Sequence, residues 1–190
     1  MNKLILGFGF NDGTKQSACN GKIFKEYNLW RDMLRRCFGK REKEKYPTYK
    51  DCSASANFLN YSFFHDWCQH NIGFGLEGWN LDKDIIIKGN KLYSEDTCCF
   101  VPREINVFFT DRTFDRGEYP VGVCFHKNTG KLAASCSVNG KRKHLGLFDN
   151  PEEAFNTYKL FKEDECKKLA NKWRGKIDER VYNAMINWVV

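Results

Sequence analysis

The stretch from Tyr119 to Phe161 constrains the fold more than any other part of the chain. YPVGVCFH and KLAASCSV flank Asn128-Thr129-Gly130, a hairpin turn. KLAASCSV and KRKHLGLF flank Asn139-Gly140, the dipeptide best suited to the positive φ angles of a two-residue hairpin. Three β-prone runs joined by two such turns predict a three-stranded antiparallel sheet. Asp149-Asn150-Pro151-Glu152-Glu153 then supplies a capping side chain, a proline at the first helical position and two acids for the positive end of the helix dipole. Ala154, Tyr158 and Phe161 follow on one helical face. The pattern is β-β-β-α.

One helix covers one face of such a sheet and leaves the other bare. From Arg116 to Phe148 there are six Lys or Arg (116, 127, 131, 141, 142 and 143) against one acid, Glu118, and the whole chain carries a formal net charge of +7. A bare basic sheet suits the major groove of duplex DNA, and each cation near a phosphate adds affinity by counterion release. Charge alone also fits a merely solvated surface.

The string GV…GKLAA…NGKRKHLGLFDNPEEAFNTY resembles the AP2 DNA-binding domain of plant transcription factors and of phage and mobile-element nucleases. Gly122-Val123, Ala133-Ala134, Leu145-Gly146-x-Phe148 and the Glu-Glu-Ala helix start stand in the family's order. The resemblance implies that outward residues of the three strands contact DNA: Cys124 and His126, then Ser135 and Ser137, then Arg142 and His144. Lys127, Lys131, Lys141 and Lys143 are expected to add backbone contacts. Cys124, His126 and His144 depart from the plant pattern of arginines and a tryptophan, so base specificity does not carry over.

Upstream, WNLDKDIII is strand-like, KGN is a turn, TCCFVP is a second strand and REINVFF is a helix opened by Pro102. Two of its aspartates, Asp82 and Asp84, alternate along the first strand and so share a face, where two carboxylates could hold one hard cation. LDKDIIIKGNKLYSEDTCCFVPREIN resembles the ββα-metal unit of phage HNH homing endonucleases. The upstream residues Tyr27, Trp30, Met33-Leu34, Arg36-Cys37 and Trp67 resemble the N-terminal half of the same proteins. The resemblance implies metal binding by Asp82 and Asn106, to which Asp84 can add, and a loop braced near Asn90. Lys83 stands where the family has its general-base histidine. A lysine between two carboxylates keeps its charge, so its expected role is to orient or neutralise phosphate rather than to accept a proton.

The N-terminal third reads as a strand and loop over residues 1–22, then a helix with Tyr27, Trp30, Leu34 and Cys37 on one stripe. GKREKEKYP reads as a charged loop, and residues 57–70 as a second helix with Phe63, Phe64 and Trp67 aligned. Both stripes are expected to be core. Ile177, Val181, Met185 and Val189 predict a C-terminal helix.

Nine cysteines, an odd number with no C-x-x-C pair, are expected to be reduced thiols. A zinc site from Cys37, Cys52 and Cys68 remains an alternative of weak spacing, and zinc is not expected. No apolar run is long enough for a transmembrane helix, and the first residues do not resemble a signal peptide.

The expected fold is α+β: residues 1–112 as an HNH-like domain with N-terminal helices and a ββα core at about 79–110, residues 113–170 as an AP2-like domain, and 171–190 as a helical tail. The expected function is DNA binding with Mg²⁺- or Mn²⁺-dependent phosphodiester cleavage by Asp82, Lys83, Asp84 and Asn106. The alternative is an inactive scaffold that binds DNA or a host protein, as a regulator or against a host defence. The expected setting is the cytoplasm of a cell, a host cell if the chain is phage-encoded, away from membranes. A homodimer and a protein partner stay open.

Overall fold

The computed structural model describes residues 4–110, 118–138 and 140–190. Arg116, Asn139 and the domain boundary placed after residue 112 lie outside them. The chain is mixed α+β and divides into two compact units, Met1–Arg103 with Lys176–Val181, and Glu104–Gly175 with Tyr182–Val190. No helix among the described residues is long and apolar enough to cross a membrane.

The first unit holds β1 (Ala18–Cys19), β2 (Lys22–Ile23), α1 (Lys25–Phe38), α2 (Lys40–Lys45), β3 (Ser53–Ala54), α3 (Ala56–Leu59), α4 (Tyr61–His70), β4 (Trp79–Asp82), β5 (Leu92–Tyr93) and β6 (Cys99–Pro102). Its core joins Trp30, Met33, Leu34 and Cys37 of α1 to Phe58, Tyr61, Phe64 and Cys68, with Tyr27 and Trp67 packed against them; of the expected second stripe, Phe63 is exposed instead. The Trp30 indole is buried at no polar cost, because Nε1 donates to the Phe58 carbonyl at 2.8 Å.

Three local expectations need correction. The 1–22 strand is replaced by a turn closed by an Ile5–Gly9 bridge, followed by the short β1–β2 hairpin. The charged run is helical in α2, because Lys, Arg and Glu are good helix formers even without an apolar stripe. The 57–70 helix breaks at Asn60, whose side-chain oxygen accepts from the Ser62 amide at 2.9 Å and so caps α4.

β4 pairs antiparallel with β6, from Trp79 opposite Pro102 to Asp82 opposite Cys99, while β5 pairs parallel with β3. The strand ends at Asp82 rather than running on through Ile87. After β6 the chain enters α5 (Arg103–Phe109); the expected two strands and helix are present as β4, β6 and α5, but β5, which was not expected, falls between the strands.

The second unit holds β7 (Val123–His126), β8 (Lys131–Val138), β9 (Lys141–Phe148) and α6 (Pro151–Trp173); α7 (Glu179–Ile186) closes the chain. The sheet order is β7-β8-β9, antiparallel throughout, with a bulge at Ala134/Ser135. Asn150 caps α6, its side-chain oxygen accepting from the amides of Glu152 and Glu153 at 2.8 and 3.1 Å. Leu132, Ala134 and Ala154 form a small core with Tyr119, Val123, Leu145 and Phe148 packed on it. The helix therefore covers the face that carries Val123, Leu132 and Ala134. Gly122 adopts φ +79°, and a Cβ there would stand 2.1 Å from the Tyr158 ring, so this position must be glycine.

Candidate nucleic-acid interface and carboxylate pair

Strand alternation decides which side chains the helix leaves outside. Val123, Leu132 and Ala134 face α6, so Cys124 and His126 of β7 and Lys131, Ala133, Ser135 and Ser137 of β8 face away. Across the bulge, Ser135 pairs with His144, Ser137 with Arg142 and Ala133 with Leu147, which puts these three β9 residues on the same outward face. Cys124, Ser137, Arg142 and His144 are exposed.

The six residues Cys124, His126, Ser135, Ser137, Arg142 and His144 thus share the outward face. The lysines are spread differently. Lys131 is outward and pairs with Asp149 at 3.0 Å. Lys127 sits exposed in the β7–β8 turn. Lys143 is on the helix side, its ammonium 4.6 Å from the centre of the Phe161 ring. Lys141, two residues away, alternates to that side as well, at an exposed strand end. The bulge is why: it re-phases β9 against β8, which no reading of β9 alone reveals.

Arg142 lies across the face rather than standing off it. Its Nε donates to Ser135 Oγ at 2.9 Å, and its Nη2 donates to Cys124 Sγ at 3.5 Å. A long cation is thereby held over three strands, with part of its ordering entropy already lost before any ligand arrives. Nδ1 of His126 lies 2.8 Å from Thr129 Oγ1 in the turn. Ala133 and Leu147 share the outward face as well; alternation from Ser135, with the bulge allowed for, is the signal that locates them.

In the first unit, Asp82 ends β4. One carboxylate oxygen, Oδ1, accepts from the amides of Asp84 and Ile85 at 2.8 and 2.9 Å, so the side chain caps the bend that follows. This bend, rather than β alternation, brings Asp84 back beside Asp82. Burial pushes the Asp82 carboxyl up to about 6; the charge and side-chain hydrogen bond of Asp84 act in the same direction, against the two amide bonds.

Lys83 is 8% exposed. Its ammonium donates to Asp84 Oδ2 at 2.8 Å and to the Asn90 carbonyl at 3.0 Å, and lies 5.8 Å from the centre of the Tyr93 ring. That makes it a tether for Asp84, with no free reach toward a substrate phosphate. Asn90 braces the loop as the resemblance implied: Nδ2 donates to the carbonyls of Lys83 and Leu92 at 2.7 and 2.6 Å, and Oδ1 accepts from the Leu92 amide at 3.1 Å. Asn106 is half-buried on α5, where its carbonyl accepts from Thr110 Oγ1 at 3.1 Å; it belongs to the second unit.

The remaining histidines of the first unit are engaged elsewhere. His65 Nε2 is 3.4 Å from Glu26 Oε1, and His70 Nδ1 is 2.7 Å from the Asp66 carbonyl. All nine cysteines are free thiols, of which Cys19 and Cys124 are exposed. Among the described residues no three His, Cys, Asp or Glu side chains are grouped to hold a metal ion, Cys37, Cys52 and Cys68 included.

The chain matches no family model, no curated protein and no solved structure.

Proposed function

We propose that the chain is a DNA-binding protein that presents the outward face of β7–β9 to the major groove of duplex DNA. One observation carries this reading. A sheet face left bare by its helix bears Arg142, His144, His126, Ser135 and Ser137, and the three strands contain no carboxylate. Such a face supplies donors for base edges and positive charge for phosphates without repelling either. The resemblance of the same segment to AP2 domains supports it further. Titrating a labelled duplex at several salt concentrations tests it. Affinity should fall steeply between about 50 and 200 mM salt; affinity indifferent to salt would contradict it.

A second reading, hydrolysis of the phosphodiester backbone, is favoured by the carboxylate pair at the end of β4 and the braced loop behind it. The pair fits a hard divalent cation chemically: two carboxylates stand together, and burial and the Asp84 charge disfavour the Asp82 charge that a cation would offset. Asp82 and Asp84 would hold Mg²⁺ or Mn²⁺; Asn106, which the HNH resemblance adds, belongs to the other unit. The ion's chemistry there is to neutralise charge on the leaving oxygen. Lys83 fixes Asp84 through its ammonium, and Asn90 fixes the loop. Lys83 stands in the sequence where the HNH resemblance has its general-base histidine, and for that reason cleavage stands second and an inactive scaffold that binds DNA or a host protein stands beside it. Incubation of duplex DNA with the protein and Mg²⁺ or Mn²⁺ decides. Nicking lost in Asp82→Ala supports the nuclease; nicking that persists in an Asp82→Ala, Asn106→Ala double variant removes it.

A further inference from the structure

The outward face is not flat. Small side chains run along the central strand, Ala133 and Ser135, and taller ones flank them on both sides. The result is a hollow of about 350 Å³ lined by Cys124, His126, Ala133, Ser135, Arg142 and His144. Ala133, 6% exposed, is its floor. The Arg142 guanidinium walls it, fixed by its bonds to Ser135 and Cys124. The Ala133 methyl and the Cys124 thiol make part of the lining apolar.

A hollow in a surface laid against a major groove needs something that projects from the groove. Most of what base edges show there is hydrogen-bond donors and acceptors; the apolar group that stands out is the methyl at C5 of a pyrimidine. A donor or acceptor edge over Ala133 would lose its water and gain no partner, whereas a methyl loses nothing by being there. The adjacent Arg142, with one face of its guanidinium already committed, keeps Nη1 for a neighbouring acceptor. We infer that the hollow seats a pyrimidine C5-methyl, so that the protein distinguishes methylated from unmethylated pyrimidines in duplex DNA. Thymine carries such a methyl, and so does 5-methylcytosine. The inference rests on the DNA-binding reading and adds what the face selects.

The test uses the whole chain. The tightest duplexes are selected from a random-sequence library and then remade in three versions: with thymine, with uracil in its place, and with uracil together with 5-methylcytosine in place of cytosine. The uracil version is expected to bind about fourfold more weakly for each methyl seated, the factor that corresponds to about 0.8 kcal/mol per buried carbon. Recovery in the 5-methylcytosine version means that a methyl on either base fills the hollow; no recovery means that thymine alone does. Ala133→Val, whose added methyls fill the floor, is expected to bind the thymine and uracil versions equally. Should that variant fail to fold, the wild-type comparison decides by itself. Equal affinity of the wild-type chain for the thymine and uracil versions overturns the inference and leaves DNA binding standing. Absence of binding to any duplex at low salt overturns the DNA-binding reading instead.

Discussion

Lys83 and Asn90 hold each other twice: the Asn90 amide donates to the Lys83 carbonyl at 2.7 Å, and the Lys83 ammonium donates to the Asn90 carbonyl at 3.0 Å. This reciprocal pair closes the loop that follows β4 and sets where Asp84 stands. Asn90→Ala removes the amide bonds and leaves the Lys83 carbonyl short of a donor, while the Leu92 carbonyl keeps Thr97 Oγ1 at 2.7 Å. It should destabilise the first unit by about 1–3 kcal/mol, the cost of leaving a buried polar group unpaired. Chemical denaturation followed by fluorescence measures it; a loss under about 0.5 kcal/mol would mean that the loop is held by other contacts.

Arg142 and Lys143 are neighbours in sequence but face opposite sides of the sheet, and their variants should behave differently. Arg142→Ala is expected to weaken DNA binding by about 5- to 150-fold and to relax sequence preference, because the guanidinium lies over the residues proposed to read bases. Its melting temperature should hardly move, since the side chain is exposed. Lys143→Ala should cost about 0.5–1 kcal/mol of stability through the lost contact with Phe161, with less effect on DNA. Binding and melting measured on both variants check this; equal losses of affinity would mean that the bulge does not separate the two residues as described.

Gly122→Ala should be among the most damaging single changes in the second unit. It places a Cβ in left-handed backbone and against the Tyr158 ring. The backbone term alone is about 1–2 kcal/mol, and displacing the ring adds to it. Thermal melting reads the sum, and an unchanged melting temperature would contradict the close approach.

Arg180 is bound in the first unit although it lies near the C-terminus. It forms an ion pair with Asp178 at 2.7 Å and donates to the carbonyls of Asp96 at 2.9 Å and Cys98 at 3.4 Å. Burial alone would raise the Asp178 carboxyl, but the Arg180 hydrogen bonds and charge win and hold it below the usual carboxylate range. A depressed carboxyl contributes stability that is present above the unfolded-state value, about 3.9, and is lost as pH falls through the folded one. The wild-type chain should therefore lose stability on acidification below about pH 4 in a way that Asp178→Asn does not. Urea melts at pH 3 and pH 6 on both proteins measure the difference. Removing residues 176–190 should also destabilise the first unit, since Ile177 and Val181 are buried.

What was legible in the sequence was what local chemistry dictates. The β-β-β-α order followed from two glycine-containing turns and a capped proline, and the strands lie where those signals put them. Around Asp82 the paired strands β4 and β6 and the helix α5 followed from local signals, but β5 between them did not. The parts that were not legible depend on pairing between distant residues. Which face Lys143 occupies is set by the bulge where β9 carries an extra residue opposite Ala134/Ser135 of β8, and Asp82 meets Asp84 through a capped bend rather than through strand alternation. The Arg180 contacts span more than 80 residues of sequence with no local mark. The break at Asn60 was readable in principle, because asparagine is a strong cap, but the aromatic stripe runs through it and concealed the change of helix.

The central claim is that the outward face of β7–β9 meets the DNA, and backbone NMR shifts during titration with a short duplex test it most directly. The account predicts that the amides of Cys124, His126, Ser135, Ser137, Arg142 and His144 shift together and saturate, while those of Ala154 and Tyr158 on α6 stay near their free positions. Saturating shifts confined to α6 or to the first unit, with the sheet face unmoved, would contradict it.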